Sequence, residues 1–409
     1  MLFAAAVVLS AGLSAPLAAP DETIRLTPVA KGASRKIGGY VPQRAAFGAE
    51  KPAGLKKEPA GLEAPSYGTM AVAGGTLFIL DEPEGKPAKL YIDANHNGDL
   101  TDDPAVEWKG KENTVRDKKT TQYSGSAMVD IGEKDKPFLV SVSMYRFDRN
   151  DPARAAQKST LFFYNDYAYE GDVTIGGKAY KALLNDRNTS GDFRGTAGGA
   201  VNLQLDVNEN GKFDGQGESF DVSKPFNIGG TTYELADVAR DGSAFRLVKS
   251  SKTVAEVAPP PNHNVGKTIT RFEANDTSGK PVKFPDDYQG KIVLIDFWAT
   301  WCGPCMAEMP NVVKAYEKYH GRGFEILGVS LDNEKSIAGM PKVMADSKMT
   351  WRQVADGKGW KAEVGQKYGI NSIPATYLVD GSTGKILGAN LRGEELDKAL
   401  EKALDNRSH

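Results

Sequence analysis

The sequence predicts a multidomain protein in which a β-rich antiparallel N-terminal region precedes an α/β domain. The chain has 409 residues, which is too long for a single core, and its 40% hydrophobic and 25% charged residues are typical of folded proteins. Residues 67–248 contain short β-branched and aromatic runs broken by Gly, Asn and Asp, which is the pattern of antiparallel strands. Residues 292–316 contain an unbroken apolar run followed by apolar residues at helical spacing.

The formal net charge of the chain is −2. Nucleic acids and anionic membrane surfaces are usually bound through a clustered basic face, which this charge balance does not indicate. We therefore expect no nucleic-acid partner.

The first nineteen residues, 1–19, are apolar and rich in Ala and Leu, and they end in small residues. This pattern predicts a secretory signal peptide. No Lys or Arg precedes the apolar run, so retention of the segment as a short anchor is the alternative. We expect an extracytoplasmic protein, either periplasmic or secreted.

Residues 20–65 are rich in Ala, Gly, Pro, Lys and Glu, which favours an extended lead-in. Residues 66–252 form the predicted β-rich domain. Within it, Gly176-Gly177 and Gly229-Gly230 lie in related segments between apolar residues, which indicates repeated hairpin units. The predicted strands are Thr76–Leu80, Lys89–Asp93, Phe138–Met144, Thr160–Tyr164, Tyr180–Leu184 and Val201–Asp206.

Three acidic loops, 93–99, 186–192 and 206–212, match the first half of a calcium-binding loop, with oxygen side chains at positions one, three and five and Gly at position six. None has the Glu expected at position twelve, which leaves Asp102, Asp103, Asp214 and Glu218 as substitute ligands. The interpretation favoured by this incomplete ligand set is that the loops only close β-hairpins, and calcium binding is the alternative. The predicted Ca²⁺ ligands are Asp93, Asn95, Asn97, Asp206, Asn208 and Asn210.

Residues 253–263 include three consecutive prolines, 259–261, and predict a semi-rigid linker. The final predicted domain therefore spans residues 264–409.

Cys302 and Cys305 are the only cysteines of the chain, and they lie between the apolar run and the predicted helix. The unpaired amides and dipole of a helix N-terminus stabilise a thiolate, so Cys302 is the predicted exposed nucleophile and Cys305 the sheltered resolving thiol. Because the chain has no third cysteine, its dithiol must be recharged by another molecule, a membrane-bound or exported electron-donor protein.

Asp296 ends the predicted buried strand just before this pair. Burial raises the pKa of a carboxyl, so Asp296 is the predicted base that accepts the proton of Cys305. The alternative is an exposed carboxylate at a strand end.

The segment Lys291–Cys305, KIVLIDFWATWCGPC, resembles the active-site segment of the thioredoxin superfamily, and Ile373-Pro374 resembles its cis-proline. The closer resemblance is to the TlpA and ResA type of thiol–disulfide oxidoreductase, related to the AhpC/TSA and redoxin group. It implies a thioredoxin-like fold for the last domain. One departure is Gly328, which stands where thioredoxins often have a Lys beside the buried Asp.

The resemblance also implies site residues. Glu308 follows Cys305 by three positions, where the family has an acidic residue that tunes the cysteines; a solvated helix-face Glu is the alternative. The predicted substrate-binding residues are Trp298, Trp301, Gly303, Pro304, Ile373 and Pro374.

We expect an enzyme that reduces disulfides in protein substrates through its own redox-active disulfide, with no required cofactor and a possible Ca²⁺ ion in the β-rich domain. One alternative is a disulfide oxidant or isomerase. Another is a β-rich binding or scaffold protein that carries the thiol domain as its effector.

Overall fold

The computed structural model describes residues 23–115, 118–133, 135–196 and 200–406. The predicted signal peptide, residues 1–19, lies outside these ranges. Two compact units divide the chain. The first unit comprises residues 1–207 and 211–258, and the second unit comprises residues 208–210 and 259–409.

The described part of the first unit contains seventeen strands and one short α-helix, α1 (Ala33–Ile37). The strands are β1 (Thr23–Arg25), β2 (Thr27–Val29), β3 (Gln43–Gly48), β4 (Pro65–Met70), β5 (Thr76–Asp81), β6 (Lys89–Ile92), β7 (Lys109–Val115), β8 (Lys118–Asp130), β9 (Leu139–Phe147), β10 (Thr160–Asn165), β11 (Ala168–Ile175), β12 (Lys178–Asp186), β13 (Val201–Leu205), β14 (Ser219–Asp221), β15 (Phe226–Ile228), β16 (Thr231–Ala236) and β17 (Ala244–Lys249).

These strands form three antiparallel sheets. The eight-stranded sheet has the order β6-β5-β4-β3-β10-β9-β8-β7, the five-stranded sheet β14-β13-β12-β11-β2, and the four-stranded sheet β1-β17-β16-β15. Their apolar faces share one core that includes Phe78, Phe163, Tyr167, Phe193 and Phe245. Burial of such large apolar side chains is the main stabilising contribution to a unit of this kind.

Residues 23–48 contribute three strands to these sheets, so the assignment of this part of the chain to an extended lead-in without regular structure was wrong. β1 pairs with β17, β2 pairs with β11, and β3 lies between β4 and β10. Each of the first two strands has only three residues, which is too short to show a hydrophobic period. Their backbone hydrogen bonds come from strands more than a hundred residues away, and that pairing leaves no local pattern.

Both Gly-Gly pairs occupy hairpin turns. Gly176 and Gly177 join β11 to β12 with φ angles of 59° and 83°, and Gly229 and Gly230 join β15 to β16 with φ angles of 61° and 77°. A two-residue turn of this hand requires positive φ at both positions, which glycine adopts without a steric penalty.

The described part of the second unit contains seven strands and four α-helices. The strands are β18 (Phe272–Asn275), β19 (Pro281–Phe284), β20 (Ile292–Trp298), β21 (Phe324–Ser330), β22 (Arg352–Ala355), β23 (Ala375–Asp380) and β24 (Ile386–Ala389). The helices are α2 (Gly303–Tyr319), α3 (Met340–Asp346), α4 (Glu363–Lys367) and α5 (Gly393–Asp405).

The central sheet of the second unit has the order β22-β21-β20-β23-β24. β20 runs parallel to β21 and antiparallel to β23, and all seven of its residues are buried. This burial explains the continuous apolar run, because both faces of a central strand are covered. β18 and β19 form a separate two-stranded sheet.

The predicted linker, residues 253–263, contains no helix or strand, and the boundary between the units falls between Ala258 and Pro259. No helix among the described residues is both long and apolar enough to cross a membrane.

Candidate active site

The two cysteines lie at the N-terminus of α2, where they are joined by a disulfide bond. Cys302 caps the helix, and its Sγ accepts a hydrogen bond from the Cys305 backbone N–H at 3.2 Å. The helix N-terminus is thus already directed at the sulfur that we predicted as the nucleophile. Both residues are buried, so Cys302 differs from the expected exposed thiolate. The bond to Cys305 turns the Cys302 sulfur toward the helix.

Asp296 lies inside β20 rather than at its end, because the strand continues to Trp298. Its neighbours across the sheet are Gly328 on β21 and Thr376 on β23. The residue is buried, and this burial raises the pKa of its carboxyl to about 7. The charge of Arg392 opposes the rise, and the charge of Glu308 adds to it. The group can therefore exchange a proton near neutral pH.

Gly328 leaves space beside Asp296 that the Gln353 side chain of β22 fills. A Cβ atom at position 328 would lie 1.9 Å from Gln353 Oε1, so no larger residue fits without movement of Gln353. Gln353 Oε1 accepts a hydrogen bond from Trp298 Nε1 at 2.9 Å, and Gln353 Nε2 is buried without a hydrogen-bond partner. Sequence reasoning missed Gln353 because it comes from a different strand.

Trp298 does not belong to a substrate-binding surface, and this prediction was wrong. Its side chain is 0% exposed and lies in the core of the second unit. The physical reason is that β20 continues to Trp298 and both of its faces are covered, so every side chain of this strand is buried.

Trp301, Gly303 and Pro304 are exposed at the start of α2, as a substrate-binding role requires. The Trp301 side chain is 46% exposed and lies against Trp360, which is 44% exposed, with ring centroids 5.9 Å apart. Two adjacent exposed indoles close in sequence and space to the start of α2 form an apolar surface patch. Trp360 was not predicted, and its only sequence signal is an isolated Trp between polar residues.

The Ile373–Pro374 peptide bond is cis, which confirms the predicted geometry. Both residues are half-buried and precede β23, whose first residue, Ala375, pairs with Phe297. Pro374 therefore lies at the sheet end from which the chain leaves β20 toward the cysteines. The Arg392 guanidinium donates a hydrogen bond to the Pro374 carbonyl oxygen at 2.9 Å and holds this segment in place.

Glu308 is half-buried rather than a free surface carboxylate. It accepts hydrogen bonds from the Gly393 backbone N–H at 2.7 Å and from Asn311 Nδ2 at 3.1 Å. Through its charge it raises the pKa of Asp296. This effect on the pKa of Asp296 supports a role for Glu308 in tuning the site. A Glu exposed to solvent on the helix surface would not need to have such an effect.

The AhpC/TSA family model matches residues 265–387. The thiol-disulfide oxidoreductase ResA of Bacillus thuringiensis subsp. konkukian is 31% identical over 140 residues, which are 34% of this chain and 76% of that protein. The ResA protein of Geobacillus thermodenitrificans is 33% identical over 139 residues, with the same two shares. The chain belongs to the ResA-type thiol-disulfide oxidoreductases.

A solved structure from Bacteroides vulgatus, the thioredoxin domain of a thiol-disulfide oxidoreductase, is 33% identical with a TM-score of 0.31, and the match covers 34% of this chain and 98% of that domain. The part of the chain that the family model and the ResA proteins match includes the disulfide-bonded pair Cys302 and Cys305.

Asp332 is a further buried residue of this ResA-type site that sequence reasoning missed. Its carboxylate accepts hydrogen bonds from the Thr300 backbone N–H at 3.1 Å, from Thr300 Oγ1 at 2.5 Å and from Ser330 Oγ at 2.7 Å. These bonds fix the turn between β20 and Cys302. The signal in the sequence was an Asp directly after an apolar run, the same signal that identified Asp296.

The predicted calcium ligands of the oxidoreductase lie in two loops. In the first, the Asp93 carboxylate accepts from Gly98 N at 3.1 Å, Asn95 Oδ1 accepts from Asn97 N at 3.0 Å, and Asn97 Oδ1 accepts from Asp99 N at 2.6 Å. Among the described residues, no group of three or more His, Cys, Asp or Glu side chains is placed to hold a metal ion.

In the other loop, Asp206 accepts from Gly211 N at 3.0 Å, and both residues belong to the first unit. Asn208 and Asn210 belong to the second unit, where Asn210 N donates to Asn208 Oδ1 at 2.9 Å. The prediction of calcium at this loop stays a prediction.

Proposed function

We propose that the protein is an extracytoplasmic reductase of protein disulfides. The observation that carries the proposal is the pairing of Cys302 and Cys305 at the start of α2 with a buried Asp296 whose pKa is raised to about 7. The location is supported by the composition of residues 1–19. The reducing direction is supported by the Gly-Pro pair between the cysteines, which resembles reducing members of the superfamily.

In the proposed reaction, the Cys302 thiolate attacks one sulfur of a substrate disulfide. The substrate S–S bond breaks, one substrate sulfur leaves as a thiolate that takes a proton, and a mixed disulfide with Cys302 forms. The Asp296 carboxylate then accepts the proton of the Cys305 thiol. The Cys305 thiolate then attacks the Cys302 sulfur, the mixed disulfide bond breaks, and the second substrate sulfur leaves as a thiolate that takes a proton.

The net result is transfer of two electrons and two protons from the dithiol to the substrate, which leaves the Cys302–Cys305 disulfide seen in the structure. An exported or membrane-bound dithiol donor must then reduce it, because the chain has no further cysteine. Trp301 and the cis-Pro374 segment are the proposed contacts for the substrate polypeptide.

The mechanism is tested by trapping. In the full chain, Cys305→Ser cannot resolve the mixed disulfide, so we expect substrate proteins to accumulate covalently on Cys302 and to be released by dithiothreitol. The matched Cys302→Ser variant should trap far less. Equal trapping by the two variants, or none by either, contradicts the assigned roles.

Direction is tested separately by thiol alkylation in the native host. A reductase accumulates with free thiols, whereas the alternative, a disulfide oxidant, accumulates with Cys302 and Cys305 bonded. If the protein accumulates with the Cys302–Cys305 disulfide formed, the reducing direction is rejected, but the proposed roles of the two cysteines in disulfide exchange are not.

A further inference from the structure

The loop that follows β6 in the first unit contains a carboxylate oxygen with no hydrogen-bond partner. Asp93 is 2% exposed, and its Oδ2 accepts from the Gly98 backbone N–H at 3.1 Å. This bond fixes the carboxylate on the inner side of the loop. Its other oxygen, Oδ1, is buried and has no partner. A buried carboxylate oxygen normally has a donor or a cation beside it.

A second oxygen of the same kind lies in the same loop. Asp103 Oδ1 accepts from Ala94 N at 3.3 Å, which places this carboxylate next to Asp93, while Asp103 Oδ2 is buried without a partner. Asp93 and Asp103 thus each have one buried carboxylate oxygen without a hydrogen-bond donor, and both residues belong to one loop.

The carboxylate at the first position of the acidic loop after β12, Asp186, does not share this deficit. There Gly191 N donates to Asp186 Oδ2 at 2.8 Å, the same closure as in the first loop. In addition, Ser190 Oγ lies 3.2 Å from each carboxylate oxygen and Tyr167 donates at 3.1 Å. Protein donors therefore bond to both oxygens of the Asp186 carboxylate, and a turn-closing role accounts for this residue. Closing a turn does not explain why Asp93 Oδ1 and Asp103 Oδ2 in the first loop are buried without donors.

We propose that loop 93–103 binds one Ca²⁺ ion through Asp93 Oδ1 and Asp103 Oδ2. The amide oxygens of Asn95 and Asn97 each accept one backbone hydrogen bond and keep a second lone pair for the cation. Main-chain carbonyl oxygens and water complete the shell. Ca²⁺ takes six to eight oxygen ligands in flexible geometry, whereas Mg²⁺ requires a nearly ideal octahedron. The donor set of two carboxylates and several neutral oxygens suits Ca²⁺.

The test is calorimetric titration of the chelator-treated full chain with CaCl2. We expect one ion per chain and a rise in melting temperature. Asp93→Asn and Asp103→Asn should each weaken binding at least about tenfold, because each removes a negative donor. The matched control is Asp221→Asn, whose carboxylate is bonded to Ser223 and Lys224 in the same unit. Its calcium affinity should equal that of the native chain.

The absence of both heat and thermal stabilisation in the native chain overturns the proposal. If Asp93→Asn and Asp103→Asn both bind calcium as tightly as the native chain, the assignment of these two residues as ligands is wrong. The assignment is also wrong if Asp221→Asn weakens calcium binding as much as the loop variants do. Equal affinity for MgCl2 overturns the assignment to Ca²⁺. If circular dichroism shows that Asp93→Asn is unfolded, the calcium affinity of Asp103→Asn decides the outcome, because Asp103 is only half-buried and its substitution is better tolerated.

Discussion

Both units bury aspartate side chains, but the surroundings of these carboxylates differ. In the first unit, Asp186 accepts hydrogen bonds from Ser190, Gly191 and Tyr167, so its oxygens close a loop. In the second unit, Asp296 lies in the central strand, and burial raises its pKa to about 7. Burial raises the pKa of Asp186 as well, but the hydrogen bonds to this carboxylate oppose the rise, so Asp186 serves architecture. Asp296 can exchange a proton near neutral pH and is available for chemistry. The burial of an acid alone does not distinguish these roles.

The largest expected effect is on the resolving step. Asp296→Asn removes the proposed base, and we expect about a 100-fold slower attack by Cys305 near neutral pH. Reaction of the reduced protein with an aromatic disulfide that releases one coloured thiolate at each step separates the two phases. The first phase, due to Cys302, should be nearly unchanged.

Glu317→Gln, on the exposed side of α2, is the matched control and should leave both phases unchanged. The native second phase should accelerate through about pH 7, where Asp296 loses its proton, and the variant should lack this inflection. An unchanged second phase in Asp296→Asn would place the base elsewhere.

The same substitution should have opposite effects on stability in the two units. The folded pKa of Asp296 is raised to about 7 from 3.8, so its favourable contribution is complete below the unfolded pKa and is lost as pH rises through 7. The loss amounts to about 1.4 kcal/mol per pH unit across that window, or roughly 4 kcal/mol in total. Asp296→Asn should therefore stabilise the oxidised protein at about pH 8 relative to the native chain.

Asp186→Asn, by contrast, replaces one acceptor oxygen with a donor and should destabilise the first unit by about 1–3 kcal/mol. Urea unfolding checks both variants. Tryptophan fluorescence follows the second unit, which holds four of the five tryptophans, and circular dichroism follows the first. Destabilisation by both substitutions near pH 8 would remove the distinction between the two aspartates.

A smaller effect is expected at Gly328, which lies opposite Asp296 on the neighbouring strand. Gly328→Ala brings a Cβ atom within 1.9 Å of Gln353 Oε1, and overpacking of this kind costs about 1–3 kcal/mol. Gly321→Ala, where no atom lies within 4 Å of the new Cβ, is the control. The double variant Gly328→Ala with Gln353→Ala should recover part of the loss in denaturant unfolding. If the stability losses of the two single variants simply add in the double variant, Gln353 is not the residue that clashes with the new Cβ at position 328.

The smallest effect is expected at the exposed surface. Trp360→Ala removes one of two adjacent indoles and should raise the KM for a protein disulfide about threefold, since aromatic pairs contribute about 0.5–1.5 kcal/mol. The melting temperature should stay unchanged, because Trp360 is 44% exposed. An unaltered KM with a lower melting temperature would make Trp360 a structural residue instead.

Local patterns predicted the elements of the second unit best. The unbroken apolar run identified β20, and the cysteine spacing identified the start of α2. The sequence could not show that Trp298 points into the core, because both faces of β20 are covered and alternation gives no contrast. Gln353 was also hidden, since its contact with Trp298 spans 55 residues.

In the first unit, strand positions were predicted where β-branched and aromatic residues cluster, as in β5 and β10, but sheet order was not. Sheet order depends on pairing between distant segments, which single-sequence patterns do not encode. The acidic loops were found from the spacing of their residues. The sequence did not show that Asp186 has hydrogen-bond donors that Asp93 lacks, because this depends on where Ser190 and Tyr167 lie in the structure.

The pairing of β1 with β17 has a consequence for biosynthesis. Thr23 lies opposite Arg246, so the first described strand can only take its place when nearly the whole first unit has been synthesised. Until then the edge of β1 is open to pairing with other chains. A chaperone that shields the nascent N-terminal segment should therefore increase the yield of folded protein.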